Sequence, residues 1–138
     1  MTYRYIEHPA DIGFIAEGST LEEAMEEAGR ALFNIITDIK NIEAKEVRKF
    51  SVESDDVYKL LYDFLTRLLF YFDTEFLVFS DFKVNLSRKN GYRADVEASG
   101  EVFDSEKHEI DTGVKAITYH MMEILEDDIF KVRVIVDV

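Results

Sequence analysis

The chain contains no cysteine, so it has neither a disulfide framework nor a thiolate to act as nucleophile or soft-metal ligand. The same absence makes a cytosolic compartment the expectation. Glutamine is missing too, and with 33% of residues charged the composition leans toward that of heat-adapted proteins. Proline occurs once and no Gly-, Ser- or Pro-rich stretch interrupts the sequence, which excludes an internal linker and reads as one domain over residues 1–138. A chain of this size can bury roughly two-thirds of its unfolded surface without staples. No apolar run suits a bilayer. The densest, Leu60 to Phe72, is broken by Asp63 and Arg67 and reads as a buried helix. Met1-Thr2-Tyr3-Arg4 has no apolar h-region, so no signal peptide is expected.

Basic residues are scarce: 16 Lys and Arg stand against 29 Asp and Glu, a net charge of −13. The short basic cluster Arg88-Lys89 lies in a turn. Nucleic-acid binding needs clustered cations that displace counterions from phosphates, so direct RNA or DNA contact is not expected. An acidic surface suits a cation or a basic protein partner, and serves solubility in any case.

What is present is regular patterning. Tyr3–Glu7 and Ile12–Glu17 read as strands on either side of a His-Pro turn. Thr20 and Glu23 form a capping box, and Leu21, Met25, Ala28, Leu32 and Ile35 recur at helical spacing behind it. Residues 47–53 form a strand with Phe50 and Val52 on one side; a second helix begins at a Ser54 cap and runs to about Phe72. Two long alternating strands follow, joined by the hairpin signal Asn90-Gly91. Phe76, Val78, Phe82, Val84 and Leu86 share one inner face, and Tyr92, Ala94, Val96, Ala98 and Val102 share the other. Residues 114–120 fit a short helix or a strand equally. A last hairpin pairs 121–125 with 130–137 through Glu126-Asp127-Asp128. The order predicts an α+β fold, a mixed or antiparallel sheet layer packed with two main helices, with room for an internal duplication.

The candidate chemistry is carboxylate chemistry. Asp11 sits between Pro9, which fixes the chain's approach, and Gly13, which permits close contact; Asp137 lies on the parity opposite Val132, Val134 and Val136. Alone, each reads as a turn or strand-end acid. If the terminal strands lie side by side, Asp11, Asp137 and the α-carboxylate of Val138 could converge into an oxygen-rich pocket for a hard divalent cation. His8 and His120 lack zinc-type spacing, and His108, in a polar loop with Asp104, Glu106, Glu109 and Asp111, reads as inert in a solvated segment without an EF-hand pattern. No phosphate loop, nucleophile elbow or dinucleotide fingerprint occurs. No catalytic residue is assigned, and regulation is favoured over catalysis.

Five segments stand in register along the whole chain: His8-Pro9-Ala10-Asp11-Ile12-Gly13, Leu68-Leu69-Phe70, Gly100-Glu101, Val114-Lys115-Ala116-Ile117-Thr118-Tyr119-His120 and Val134-Ile135-Val136-Asp137-Val138. Together they resemble the signature of the archease family. The resemblance implies a non-enzymatic protein cofactor of the RNA ligase that splices tRNA, promoting guanylylation of its active-site histidine and hence multiple turnover. It also implies a divalent cation, calcium first, with magnesium or manganese as alternatives, on Asp11, Asp137 and the Val138 carboxylate. An older view of the family implies a chaperone-like modulator of tRNA-modifying enzymes; a metal-dependent hydrolase with His8 or His120 as base is the other alternative. The partner would be a protein, with neither nucleic acid nor membrane bound directly.

Overall fold

The strands at the two ends of the sequence build one sheet, and the longer alternating strands in the middle build another. A computed structural model describes residues 1–8 and 11–138, with side chains described at all of these except positions 7 and 8. The elements run β1 (Thr2–His8), β2 (Asp11–Gly18), α1 (Leu21–Ile36), a 3-10 turn (Ile39–Asn41), β3 (Glu46–Ser54), α2 (Val57–Glu75), β4 (Leu77–Ser87), β5 (Tyr92–Val102), β6 (Ala116–Ile117), β7 (Glu123–Glu126) and β8 (Phe130–Asp137). The first sheet is ordered β1-β2-β8-β6, with β7 also on β8; the second is β3-β5-β4. Every pairing among the described residues is antiparallel, so the mixed alternative falls away and the α+β expectation stands.

The helices lie between the sheets. Tyr5 Oη of β1 donates to the Ala31 carbonyl of α1 at 2.9 Å, while Phe33 of the same helix meets Phe79 and Phe82 of β4 with ring centroids 5.4 and 6.2 Å apart. Phe14, Ala16, Val132, Val134 and Val136 give the inner face of the first sheet; Phe50, Val52, Ala94, Val96 and Ala98 give that of the second. Leu60, Leu61, Phe64, Leu65 and Leu68 bury the inward side of α2, which leaves Lys59 and Arg67 outward as its polar stripe requires. No helix among the described residues is long and apolar enough to cross a membrane.

Several local readings need correction. Helix α2 is capped by Asp56, whose carboxylate accepts from Tyr58 N–H; Ser54 still pairs with Tyr92 in the sheet and its hydroxyl accepts from Asp56 N–H. The helix continues past Phe72 to Glu75 and closes on Phe76 in the left-handed region (φ 58°), 62% exposed, so Phe76 is a cap and no inner residue of β4. A register shift between Phe79 and Asp81 lets Leu77, Val78 and Phe79 all be buried. Val102, assigned to the inner face of β5, is exposed. The ambiguous 114–120 segment yields the two-residue strand β6 and no helix. The Asn90-Gly91 turn forms as expected, both residues at positive φ (53° and 97°), in the connection that follows the Ser87–Arg93 pair.

Candidate functional site

The strand register brings the two acids singled out in the sequence together. β1 ends at His8, β2 starts at Asp11, and one row runs across four strands: His8 opposite Asp11, Asp11 opposite Asp137, Asp137 opposite Ala116. Residues directly opposed in an antiparallel pair project from the same face with Cβ atoms about 5 Å apart. Because Phe14, Ala16, Val134 and Val136 fill the inner face, Asp11 and Asp137 share the face turned away from the helices. Asp11 is half-buried and Asp137 exposed.

The strand that carries Asp137 is held on its far side by the 114–118 segment. Lys115 N–H donates to the Asp137 carbonyl at 2.8 Å, and Thr118 Oγ1 donates to the Ile135 carbonyl at 2.7 Å. Val138 is half-buried, its side chain packed on the core. Pro9, whose constraint on the approach to Asp11 was expected, and the ring of His8 lie outside the described residues. His120 is exposed between β6 and β7, its N–H donating to Thr118 Oγ1 at 3.3 Å.

Two carboxylates directly opposed on one sheet face repel each other. Their donor set is all hard oxygen, the chemistry that calcium, magnesium and manganese accept. Among the described residues no group of three His, Asp or Glu side chains gathers as a metal cage. A cation at this row would therefore need oxygens beyond the two side chains, from a terminal or main-chain carbonyl group or from water. On donor chemistry, the residues present fit a hard divalent ion.

The structure also reveals a buried polar cluster that the sequence reading missed. His108, taken as inert in a solvated loop, is 2% exposed, and Glu101 is 6% exposed. Glu101 Oε2 accepts from Glu43 N–H (2.7 Å), Lys107 Nζ (2.8 Å) and His108 Nε2 (3.1 Å). His108 Nδ1 accepts from Asp104 N–H (3.0 Å), which leaves Nε2 as the donor, shared between Glu101 and the Asn41 carbonyl (3.1 Å). Burial pushes the Glu101 carboxyl up, but the hydrogen bonds from Lys107, Glu43 and His108 and the Lys107 charge outweigh it and hold the group down at about 2. Glu101, Lys107 and His108 are hydrogen-bonded to one another and to the Glu43, Asn41 and Asp104 backbone, so the cluster clasps the 104–108 turn to the β5 end. The only sequence signal was an acid placed beside Gly100 at the end of a long strand; its partner Glu43 lies 58 residues away.

What fold and site define together is an α+β domain of two antiparallel sheets enclosing two helices, with a paired-acid row at one sheet end. The chain belongs to the archease family: the model of the Archease protein family (MTH1598/TM1083) matches residues 3–138. Protein archease of Thermococcus gammatolerans is 48% identical over 123 residues, covering 88% of this chain and 87% of that one. Protein archease of Methanothermobacter thermautotrophicus is 45% identical over 137 residues, 98% and 97% of the two chains. Among solved structures, the solution structure of Methanobacterium thermoautotrophicum protein 1598 superposes with a TM-score of 0.88 at 46% identity, covering 99% of this chain and 98% of that one. The crystal structure of an archease, possible chaperone, from Thermotoga maritima gives a TM-score of 0.63 at 21% identity over 96% and 94%, a likeness of fold.

Proposed function

We propose that this protein is a non-enzymatic activator of the RNA ligase that splices tRNA, promoting the ligase's guanylylation and so its repeated turnover in exon joining. The activator would work through a divalent cation, calcium first, held by the side chains of Asp11 and Asp137 and by the Val138 carboxylate. The observation that carries the reading is the direct cross-strand opposition of Asp11 and Asp137. Family membership supports the partner, and the net charge of −13 suits docking to a basic protein surface.

In this reading the β2–β8 register sets the spacing of the two acids, and Val132, Val134 and Val136 anchor the strand that presents Asp137. The core contact of Val138 steadies the residue that offers the third oxygen group. When bound, the cation supplies concentrated positive charge able to relieve the carboxylate repulsion and to offset phosphate charge on an incoming nucleotide. Bond making stays with the ligase.

The test is ligase turnover at limiting GTP with wild type, Asp11→Asn, and a variant extended past Val138. Wild type should stimulate turnover; both variants should leave it at the basal level. Calcium should raise the Tm of wild type and not that of Asp11→Asn, which keeps the shape and loses the charge. Stimulation by Asp11→Asn equal to wild type would overturn the reading. Metal-dependent phosphoester hydrolysis by the isolated protein would replace it with the hydrolase alternative.

A further inference from the structure

We infer that Gly13 is a positioning residue for the Asp11–Asp137 pair, its missing side chain leaving the room over β2 into which Ile6 and Ile135 both reach, in the row next to the acids; the inference rests on the cation reading above. Gly13 lies two residues from Asp11, on the same face, opposite Ile6 of β1 and Ile135 of β8. A Cβ built on it would stand 2.5 Å from Ile6 Cγ1, 2.6 Å from Ile135 Cδ1 and 2.9 Å from Ile6 Cδ1. Carbon atoms in good contact sit about 3.5–4.0 Å apart, so a single methyl would force the two isoleucines back by roughly 1 Å. Positive φ occurs at one glycine among the described residues, Gly91, so Gly13 is needed for space and not for backbone conformation.

The result is an apolar bridge over three strands on the face that carries no helix. It accounts for Ile135 being only 1% exposed although it points away from the core of Phe14, Val134 and Val136. This bridge acts on the next row through room: without a Cβ at position 13 the three strands keep their hydrogen-bonded register, whereas a methyl would press β2 against Ile6 and Ile135 and shift the neighbouring row that carries Asp11. Residues that orient metal ligands without touching the metal are worth about ten- to a hundredfold in affinity.

Calcium binding measured by calorimetry on the full chain tests this. Gly13→Ala should weaken binding about tenfold at a temperature where the variant is fully folded. Adding Ile6→Ala and Ile135→Val, which remove the atoms that the methyl would strike, should restore most of the loss. Val52→Ala, in the other sheet, should lower the Tm and leave the affinity unchanged, which separates positioning from general destabilisation. Unchanged affinity in Gly13→Ala, or a loss that the two compensating changes fail to restore, overturns the role of Gly13 while the cation site stands. Should wild type bind no divalent ion, or Asp11→Asn bind as well as wild type, the cation reading fails and this inference with it.

Discussion

At residue 101 a carboxylate is nearly enclosed, yet it is held in its charged form by a lysine, a histidine N–H and a backbone N–H. Its folded pKa of about 2 lies below the ordinary value of 4.5, so the unfolded chain takes up the proton first as pH falls. The stabilisation is therefore complete above about 4.5 and is lost as pH drops from there toward 2. On the order of 3 kcal/mol should disappear across that window. Denaturant unfolding followed by circular dichroism along an acid series measures it. Glu101→Gln should be less stable near neutral pH, since Lys107 loses a charged partner, and should show a flatter acid limb than wild type. An equal slope in the two proteins would show that other carboxylates carry the acid sensitivity. Lys45 and Glu43 also border the cluster, so Lys107→Met is the companion variant and should lose the same limb.

Elements whose local signals agree with their packing were legible in the sequence. β1, β2 and β8 appear within a residue or so of their expected bounds, and their side-by-side arrangement supplies the Asp11–Asp137 register. Helix α1 starts where its cap says: Thr20 Oγ1 accepts from Glu23 N–H at 3.1 Å. The reciprocal half of the box is displaced, because Glu23 Oε2 reaches Ser19 N–H and Oγ (2.9 and 2.7 Å) one residue earlier. Thr20→Ala should thus cost about 1 kcal/mol, read as a lower urea midpoint at unchanged slope. Elsewhere local signals were degenerate. Ser54, Asp55 and Asp56 can all cap a helix, and only the Ser54–Tyr92 pairing, 38 residues apart in sequence, passes the role to Asp56. Phe76 hides the end of α2, since a bulky aromatic stands where a helix usually ends in glycine. The burial of His108 depends on Asn41 and Glu101, which no spacing rule links to it.

For the whole molecule, a charge of −13 on 138 residues makes two opposite claims about salt. Like charges spread over a compact surface repel, and added monovalent salt screens them, so folding should tighten as ionic strength rises. Docking of the same surface to a basic partner draws on attraction between unlike charges, so it should weaken under the same change. Raising sodium chloride from roughly 0.05 to 0.5 M shortens the screening length from above 10 Å to below 8 Å, enough to act on both. Thermal unfolding should move up by a few degrees while the Kd for the proposed ligase partner rises severalfold, mostly through a slower association rate. An affinity indifferent to salt would shift the contact to exposed apolar residues such as Phe70, Phe76 and Val102. Binding of tRNA by the isolated protein at physiological salt, with affinity falling steeply as salt rises, would show that cations hidden in an acidic surface had been organised for phosphate after all. A divergence of the two salt responses, more than either alone, would mark a domain whose charge opposes its own compactness and serves its association.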